Sequence, residues 1–270
     1  MPRARVGDLD IAYDVTGQGE PVLMINGIGA PRGAWGLQLP AVCERYSAIT
    51  FDNRDVGETG PGENTNNYTT DQFAHDAAGL LDHLGIEKAH VVGASMGGCI
   101  AQAFAALYPE RTQTATIICA WATVEPWLDE LWEQWEGLFE ARGPVEWSRT
   151  TWLWVFTHRA YDEPGFLDNL LMDAHASPNP QTLEMYLRQS HAARTHEYLD
   201  RLVSVIAPTH VICGEEDIFT PPRYSVDIAN AIPGAKLTVM PEVGHGMFWE
   251  ATDDFNRVVL DFIDQHPLNG

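Results

Sequence analysis

Short apolar runs alternate with amphipathic segments along most of the chain. Compact runs with few polar residues are typical of strands that a parallel sheet buries on both faces. Such strands are predicted at 21–25, 47–52, 89–93, 112–119, 210–213 and 236–240, after a pair of alternating strands within 3–16. Helical periodicity predicts helices at about 34–45, 70–84 (with Thr70 as cap), 96–108, 221–232 and 250–265. The alternation indicates an α/β fold with a mostly parallel central sheet and helices on both faces.

The strand signals stop over residues 121–200, where the periodicity is helical. Seven of the nine tryptophans lie in this part, between Trp121 and Trp154. We therefore predict a core domain made of residues 1–120 and 201–270. The helical segment between these two parts is predicted to be an inserted cap.

A candidate nucleophile stands where a predicted strand meets a helix rich in small residues. Residues 93–98 read Gly-Ala-Ser-Met-Gly-Gly and match the G-x-S-x-G pattern, in which a sharp turn exposes the serine hydroxyl. The positive end of the following helix favours negative charge that develops beside it. This context predicts Ser95 as the nucleophile.

A serine hydroxyl needs a base to accept its proton, and the base needs an acid to orient it. Two loops that follow later strands supply these groups, because parallel strands end at the same edge of a sheet. The first loop contains Asp217, with Glu215 and Glu216 as alternatives for the acid. The second contains His245, which we predict to be the base.

An oxyanion intermediate needs two backbone N–H groups. One is predicted to come from Met96, the residue after the serine, and the other from Ile28, in the glycine-rich loop at 26–29. Asn26, which opens that loop, is a predicted substrate contact.

Large aromatic side chains in the insertion could line an apolar pocket above the serine. The candidates for substrate contact are Trp121, Trp152 and Trp154. The insertion also contains arginines, and the sequence does not tell which of them faces a pocket. They are Arg142, Arg149, Arg159, Arg188 and Arg194.

Composition narrows the range of partners. There are 38 acidic against 16 basic residues and a formal net charge of −22, so the surface repels phosphate backbones and nucleic acid is excluded as an expected partner. The first residues lack the apolar stretch of a signal peptide, and no apolar run is long enough to cross a membrane. We expect a cytoplasmic protein without a membrane partner, and a homodimer is left open.

The cysteines resemble small buried hydrophobic residues rather than a disulfide framework, and their spacing is not that of metal ligands. No metal or organic cofactor is expected. The four cysteines are Cys43, Cys99, Cys119 and Cys213.

Five landmarks give the chain a resemblance to the α/β-hydrolase superfamily over almost its full length. They are the loop at 26–29, the segments 52–57 and 214–222, the turn at 93–98 and the pair Gly244-His245. The resemblance implies an α/β-hydrolase fold with an inserted helical cap.

Within the superfamily, the Asn-Gly-Ile-Gly loop looks more like the Asn-Ser-Leu-Gly form of 3-oxoadipate enol-lactonases than the common His-Gly start. Carbon–carbon bond hydrolases of ring-cleavage pathways share the Ser-Met-Gly-Gly turn, but they typically have tryptophan after the catalytic histidine, where this chain has Gly246. Haloalkane dehalogenases have aspartate at the nucleophile position, so Ser95 argues against that chemistry.

The resemblance implies a hydrolase that cleaves a carboxylic ester or lactone of a small, partly apolar substrate through an acyl-enzyme. Two alternatives stay open. One is a carbon–carbon bond hydrolase that acts on a ring-cleavage product, and the other is a non-catalytic ligand receptor on the same fold.

Overall fold

A computed structural model describes residues 2–63, 65, 67–175 and 179–268, and leaves the side chains of 173–175 outside that description. Eight strands form one sheet in the order β1-β2-β4-β3-β5-β6-β7-β8, in which β1, β2 and β4 pair antiparallel and the remaining pairs are parallel. The strands are β1 (Arg3–Val6), β2 (Leu9–Gly17), β3 (Glu20–Ile25), β4 (Tyr46–Phe51), β5 (Ala89–Ala94), β6 (Thr112–Ile118), β7 (Thr209–Gly214) and β8 (Lys236–Met240). The predicted α/β fold is confirmed.

Helices connect the strands. They are α1 (Leu39–Val42), α2 (Thr70–His83), α3 (Met96–Leu107), α4 (Pro126–Val155), α5 (His158–Asp162), α6 (Phe166–His175), α7 (Leu183–Arg194), α8 (Pro222–Ala231), α9 (Met247–Glu250) and α10 (Thr252–Asp264). Short 3₁₀ helices lie at Arg32–Trp35, Pro109–Arg111 and Leu199–Ser204. No helix of the described ranges combines the length and apolar composition needed to cross a bilayer.

Three helix predictions need correction. The segment 34–45 is not one helix, because Pro40 lacks the N–H that a continuous helix would use and can stand only in the first turn of α1. Thr69, not Thr70, caps α2: its backbone is extended, and its hydroxyl accepts a hydrogen bond from the N–H of Gln72 at 3.3 Å. The predicted helix at 250–265 is interrupted at Ala251, which separates α9 from α10.

The core lies on both faces of the sheet because successive residues of a strand point to opposite sides. In β5, Val91 packs on the face covered by α2 and α3, whereas Val92 packs on the opposite face with residues of α10. Both side chains are almost completely buried. The continuous apolar runs of the sequence follow from this two-sided burial.

The insertion, which we define as residues 126–194, leaves the sheet after β6 and returns before β7. Its long helix α4 breaks at Gly143, whose φ of 76° and ψ of 177° are outside the helical region, and Pro144 begins the second half. Glycine tolerates this positive φ, and proline is favoured at the start of a helix. The break divides α4 into two helical segments.

Candidate active site

Ser95 occupies a strained turn between β5 and α3. Its φ of 58° and ψ of −125° are rarely adopted by residues with a side chain. The turn needs glycine nearby, because a Cβ on Gly93 would lie 2.1 Å from the carbonyl oxygen of Gly97. The N–H of Ser95 donates to the carbonyl of Ile118 at 2.9 Å, which ties the turn to β6. The side chain is half-buried at the positive end of α3.

The loop at 26–29 lies directly against this turn. A Cβ on Gly27 would be 3.1 Å from Ser95 Cβ and 3.5 Å from Ser95 Oγ. Asn26 is buried, and its side-chain amide donates to the carbonyl of Pro31 at 3.0 Å, so this side chain braces its own loop. Ile28 follows in the same loop and is half-buried, and Met96 is buried as the first residue of α3. A substrate contact for Asn26 stays a prediction.

Asp217 and His245 are in contact, with 2.9 Å between Asp217 Oδ2 and His245 Nδ1. Both side chains are buried. The other carboxylate oxygen, Asp217 Oδ1, accepts hydrogen bonds from the backbone N–H groups of Phe219 at 2.9 Å and Thr220 at 2.8 Å. The carboxylate is therefore fixed in position, and its other oxygen, Oδ2, faces the imidazole.

The two alternative acids do not share this position. Glu215 and Glu216 are exposed. Glu216 instead forms an ion pair with Arg159 of the insertion at 3.0 Å. The arrangement therefore favours Asp217 as the partner of His245.

Thr220 is a member of the site that the sequence reasoning missed. Its Oγ1 lies 2.8 Å from Asp217 Oδ2, 3.0 Å from His245 Nδ1 and 3.1 Å from the carbonyl oxygen of Cys119. The residue is fully buried. A hydroxyl three residues after the acid, in the turn that the acid caps, is the signal that could have identified it.

Cys119 connects the serine turn to the histidine. It follows Ile118, which accepts the Ser95 N–H bond, and has a positive φ of 42°. Burial alone would lower the pKa of His245, but the side chains of Cys119 and Asp217 outweigh it and raise this pKa above its ordinary value. The environment therefore favours the imidazolium, which is the form that a general base takes after accepting a proton.

An aromatic cluster extends from the histidine into the insertion. The Phe219 ring lies 4.7 Å from the His245 ring and 4.8 Å from the ring of Trp135, measured between centroids. Trp132 packs on Phe219 at 5.6 Å. The surface above the histidine is therefore apolar.

The three tryptophans predicted to reach substrate occupy different places. Trp121 is fully buried, and its indole N–H donates to the carbonyl of Ala193 at 3.1 Å. Trp154 is half-buried at 6.4 Å from Trp135, and Trp152 is half-buried against Phe156 at 5.6 Å. Trp121 serves the packing of the insertion on the core, and substrate contact by the three stays a prediction.

Glu250 ties the insertion to the histidine loop, and sequence reasoning did not find it. Its Oε1 accepts hydrogen bonds from the N–H of Thr157 at 2.9 Å and from the Thr157 hydroxyl at 2.6 Å. Its Oε2 accepts from the N–H of Gly244 at 2.9 Å. The N–H of Gly246 also donates to the carbonyl of Val155 at 2.8 Å. Gly246 is therefore held directly by the insertion, and Gly244 is linked to it through Glu250.

Gly246 leaves room for a neighbour from the insertion. A Cβ at this position would lie 2.6 Å from the ring of Phe156. Phe156 therefore fills the space that a larger residue after the histidine would need.

The arginines of the insertion either have carboxylate partners or are exposed. Arg188 pairs with Asp55 at 2.6 Å. The other pairs are Arg149–Asp168 at 3.8 Å, Arg159–Glu216 at 3.0 Å and Arg194 with Asp129 at 2.7 Å and with Glu136 at 2.9 Å. Arg142 is exposed. Within the described residues, none of the five is an unmatched buried cation.

Metal ligands are not clustered: the described ranges contain no group of three or more His, Cys, Asp or Glu side chains that could hold an ion. The four cysteines are free thiols, and Cys99, Cys119 and Cys213 are buried. The buried thiols contribute to packing as small apolar groups.

Comparison with known proteins agrees with this architecture. A relative named "Putative carbamate hydrolase RutD", from Azorhizobium caulinodans, is 30% identical over 98% of this chain and 100% of its own length. A 2-hydroxy-6-oxo-6-phenylhexa-2,4-dienoate hydrolase from Burkholderia cepacia is 31% identical over 92% of this chain and 88% of its own. The structure of an enol-lactonase from Burkholderia xenovorans superposes with a TM-score of 0.87 at 23% identity, over 97% of this chain and 100% of that chain.

The sequence profile of one family spans most of the molecule. The family described as "alpha/beta hydrolase fold" matches residues 20–252, a range that runs from β3 to the start of α10. Two relatives of nearly equal length are named as hydrolases. The protein is a hydrolase that belongs to the alpha/beta hydrolase fold family.

Proposed function

We propose that the protein cleaves a carboxylic ester or lactone by serine catalysis, with Ser95 as nucleophile, His245 as base and Asp217 as orienting acid. The observation that carries the proposal is the buried contact between His245 and Asp217, at the same sheet edge as the strained turn of Ser95. Those residue types in this arrangement suit acyl transfer.

The first step is attack by Ser95 Oγ on the substrate carbonyl while His245 accepts the hydroxyl proton. Asp217 holds the proton on His245 Nδ1, so the other ring nitrogen is free to act as the base. The imidazolium then protonates the leaving alkoxide, and an acyl-serine remains. Water attacks this ester with His245 again as base, which releases the acid and restores the serine.

The oxyanion of each tetrahedral intermediate would be held by the N–H groups of Met96 and Ile28. Met96 opens α3, so its N–H has no partner within the helix. Ile28 lies in the loop whose Gly27 packs against Ser95. Donors fixed before the reaction stabilise the developing charge without having to reorganise.

The surroundings support an acyl group that is apolar and uncharged. Phe219 packs on the histidine and Trp135 packs on Phe219, and the arginines of the insertion are matched by carboxylates or exposed. A carboxylate carried into such a site would lack a cation, and burying an unpaired charge is costly. An uncharged acyl group would differ from the substrate named for the Burkholderia cepacia relative, because a dienoate is an anion. The Azorhizobium caulinodans relative is named for a carbamate.

Carbon–carbon bond hydrolysis is the second candidate because the Burkholderia cepacia relative is 31% identical. Two features weigh against it. Phe156 fills the space beside Gly246, where the carbon–carbon bond hydrolases typically have tryptophan, and the insertion offers no unmatched buried arginine for a carboxylate among the described residues.

The test is turnover of p-nitrophenyl acetate, butyrate and octanoate, together with labelling by a fluorophosphonate. We expect ester turnover and covalent labelling, and both should be lost in Ser95→Ala by several orders of magnitude, because the members of a triad act as a unit. Turnover of a vinylogous 1,5-diketone without ester turnover would instead favour carbon–carbon cleavage. Absence of both turnover and labelling in the wild-type protein would favour a receptor.

A further inference from the structure

Gln189 of α7 reaches from the insertion into the core, next to the proposed oxyanion loop. Its Oε1 accepts a hydrogen bond from the N–H of Gly29 at 2.9 Å, and its Nε2 donates to the carbonyl of Arg54 at 2.7 Å. Gln181 adds a second donor to the same Oε1 at 3.0 Å. Gln189 is completely buried. Each polar atom of its side chain is therefore engaged.

The Arg54 end of this bridge is rigid. The Arg54 guanidinium is buried and forms two hydrogen bonds to Asp76, at 2.7 and 2.6 Å. It also lies over the rings of Tyr68 and Phe73, at 4.9 and 5.9 Å from their centroids. Gln189 therefore connects Gly29 to a backbone point that cannot easily move.

The Gly29 end belongs to a loop whose two sides are held differently. On one side, Asn53 donates to the carbonyl of Asn26 at 3.1 Å, from within the core. On the other side, Gly29 adopts a positive φ of 67° and is bound by Gln189 of the insertion. The proposed donor Ile28 lies between the two, and its carbonyl belongs to the same peptide plane as the Gly29 N–H.

We infer that Gln189 is a positioning residue for the oxyanion hole: by fixing the peptide between Ile28 and Gly29, it restricts the adjoining Gly27–Ile28 peptide, whose N–H is the proposed donor to the oxyanion. The inference rests on the proposed function for its chemistry. It makes the insertion part of the catalytic apparatus rather than only a cover, because a residue of α7 determines the direction of a donor that belongs to the core.

The decisive variant is Gln189→Leu, which removes both the acceptor for Gly29 and the donor to Arg54. Loss of one oxyanion donor costs about 100- to 1,000-fold in kcat, and a misdirected donor should cost part of this, roughly 10- to 100-fold. KM should change by less than about threefold, because the donor acts on the transition state rather than on the bound ester. The substrate is p-nitrophenyl butyrate.

Two further variants separate positioning from general destabilisation. Gln189→Glu offers the same acceptor and, when protonated in its buried position, a donor for Arg54, so its kcat relative to the wild-type value at the same pH should rise as the pH is lowered. Ser190→Ala is the matched control: Ser190 is the next residue of α7 and equally buried, but its hydroxyl bonds Glu136 within the insertion at 2.5 Å. It should leave kcat close to the wild-type value.

Binding of an alkyl boronic acid, which forms an oxyanion mimic on the serine, is measured beside the kinetics. Affinity should fall in Gln189→Leu by a factor similar to that in kcat. Equal kcat in Gln189→Leu and Ser190→Ala, or a loss confined to KM, would overturn the inference. Backbone hydrogen exchange of the peptide that contains Gly29 gives a readout without turnover: it should accelerate in Gln189→Leu only. If the wild-type protein cleaves no ester, the proposed function fails, whereas unchanged exchange in Gln189→Leu rejects the positioning role itself.

Discussion

The hydroxyl of Thr220 lies 2.8 Å from Asp217 Oδ2, the same oxygen that His245 Nδ1 contacts. The backbone N–H groups of Phe219 and Thr220 bond the other oxygen, Asp217 Oδ1. The Thr220 hydroxyl is therefore the group that holds Oδ2, the oxygen that faces the histidine, in place. It also lies 3.0 Å from His245 Nδ1, so it constrains the imidazole directly.

Replacing Thr220 by Val should therefore reduce kcat without abolishing it. The shape is kept, but the hydroxyl contact with the Asp217–His245 pair is lost, and we expect a fall of roughly 10-fold, since Asp217 itself still orients the ring. Steady-state hydrolysis of p-nitrophenyl butyrate measures it. Thr209→Val is the control, because Thr209 is also buried and its hydroxyl bonds the carbonyl of Ala207 at 2.9 Å, in a position at the start of β7. A fall of equal size in both variants would contradict a role in the site.

Asp217→Asn should have a much larger effect. An amide can present its NH₂ to the histidine and favour the wrong tautomer, a change that costs about 10⁴-fold in kcat in a serine protease. Loss of the carboxylate should also lower the pKa of His245, because Asp217 is one of the groups that raise it. The kcat/KM profile against pH should therefore show its acidic limb at lower pH than in the wild-type protein.

Glu216→Gln is the control for that substitution. Glu216 is the neighbouring acid, it is exposed, and it pairs with Arg159 rather than with the histidine. Its kcat should match the wild-type value. If Glu216→Gln were the inactive variant and Asp217→Asn the active one, the assignment of the acid would be wrong.

The parts of the molecule that the sequence predicts well are those decided by local pattern. The runs around Val91 and Ile212 are mostly apolar because both faces of the sheet are covered, and the Gly-x-Ser-x-Gly turn has few conformations open to it. The predicted helix at 34–45 is wrong for a local reason too, because Pro40 cannot stand in the interior of a helix whatever the apolar periodicity around it.

The polar bridges could not be predicted, because each joins segments that are far apart in the chain. Gln189 and Gly29 are 160 positions apart, and Glu250 and Thr157 are 93 apart. Nothing in the local sequence of a glutamine or glutamate tells which backbone N–H it will meet. Thr220 escapes prediction for a different reason. The sequence shows that it lies three residues after Asp217, but it does not show the contact with His245.

Glu250→Gln should loosen the insertion from the histidine loop. The carboxylate accepts three hydrogen bonds from Thr157 and Gly244, and an amide cannot accept all three, because its NH₂ is a donor. We expect a loss of about 1–3 kcal/mol in the free energy of unfolding, as for a buried donor left without an acceptor. We also expect faster proteolysis near Thr157. Urea unfolding and limited trypsin digestion measure the two effects.

Glu146, an exposed residue of the insertion, is the control for Glu250. Glu146→Gln makes the same change of charge, and surface substitutions of this kind usually stay within about 0.5 kcal/mol. Similar urea midpoints for the two variants would show that net charge, and not the bridge, determines the effect.

Acid should destabilise the fold through buried neutral histidines. Burial lowers the pKa of His196 to about 3 and that of His210 to about 4. The unfolded chain takes up these protons near pH 6.5, while the folded protein does not, so stability falls as the pH drops below about 6.5 and continues to fall until the folded pKa values are reached. Each histidine contributes a slope of up to about 1.4 kcal/mol per pH unit.

His196→Asn tests this contribution. The ring bonds the hydroxyl of Thr70 at 2.8 Å, so the variant should be less stable near neutral pH, but its free energy of unfolding should depend less steeply on pH between 4 and 6. Urea titrations at several pH values give the slope. His158→Asn is the control, because His158 is exposed and should leave the slope unchanged. An unchanged slope in His196→Asn would mean that His196 is protonated in the folded state.

The charge of the acyl group should decide which esters are cleaved. A pair of substrates with equal chain length, p-nitrophenyl hexanoate and p-nitrophenyl hydrogen adipate, differs at the far end by a methyl group against a carboxylate. Because the arginines of the insertion are matched by partners such as Asp55 or exposed, and the net charge is −22, we expect a kcat/KM at least about 100-fold higher for the hexanoate.

Salt separates the two sources of this preference. Repulsion by the distant surface charge is screened at about 0.5 M NaCl, where the Debye length falls to only a few ångströms. Salt does not screen the cost of placing a carboxylate against Phe219 and Trp135. A preference that persists in salt therefore reports on the pocket, and one that disappears reports on the surface. Equal kcat/KM for the two esters at low salt would mean that a cation does face the acyl group, and Arg188→Met, which removes the charge of a half-buried arginine, would then be the first variant to examine.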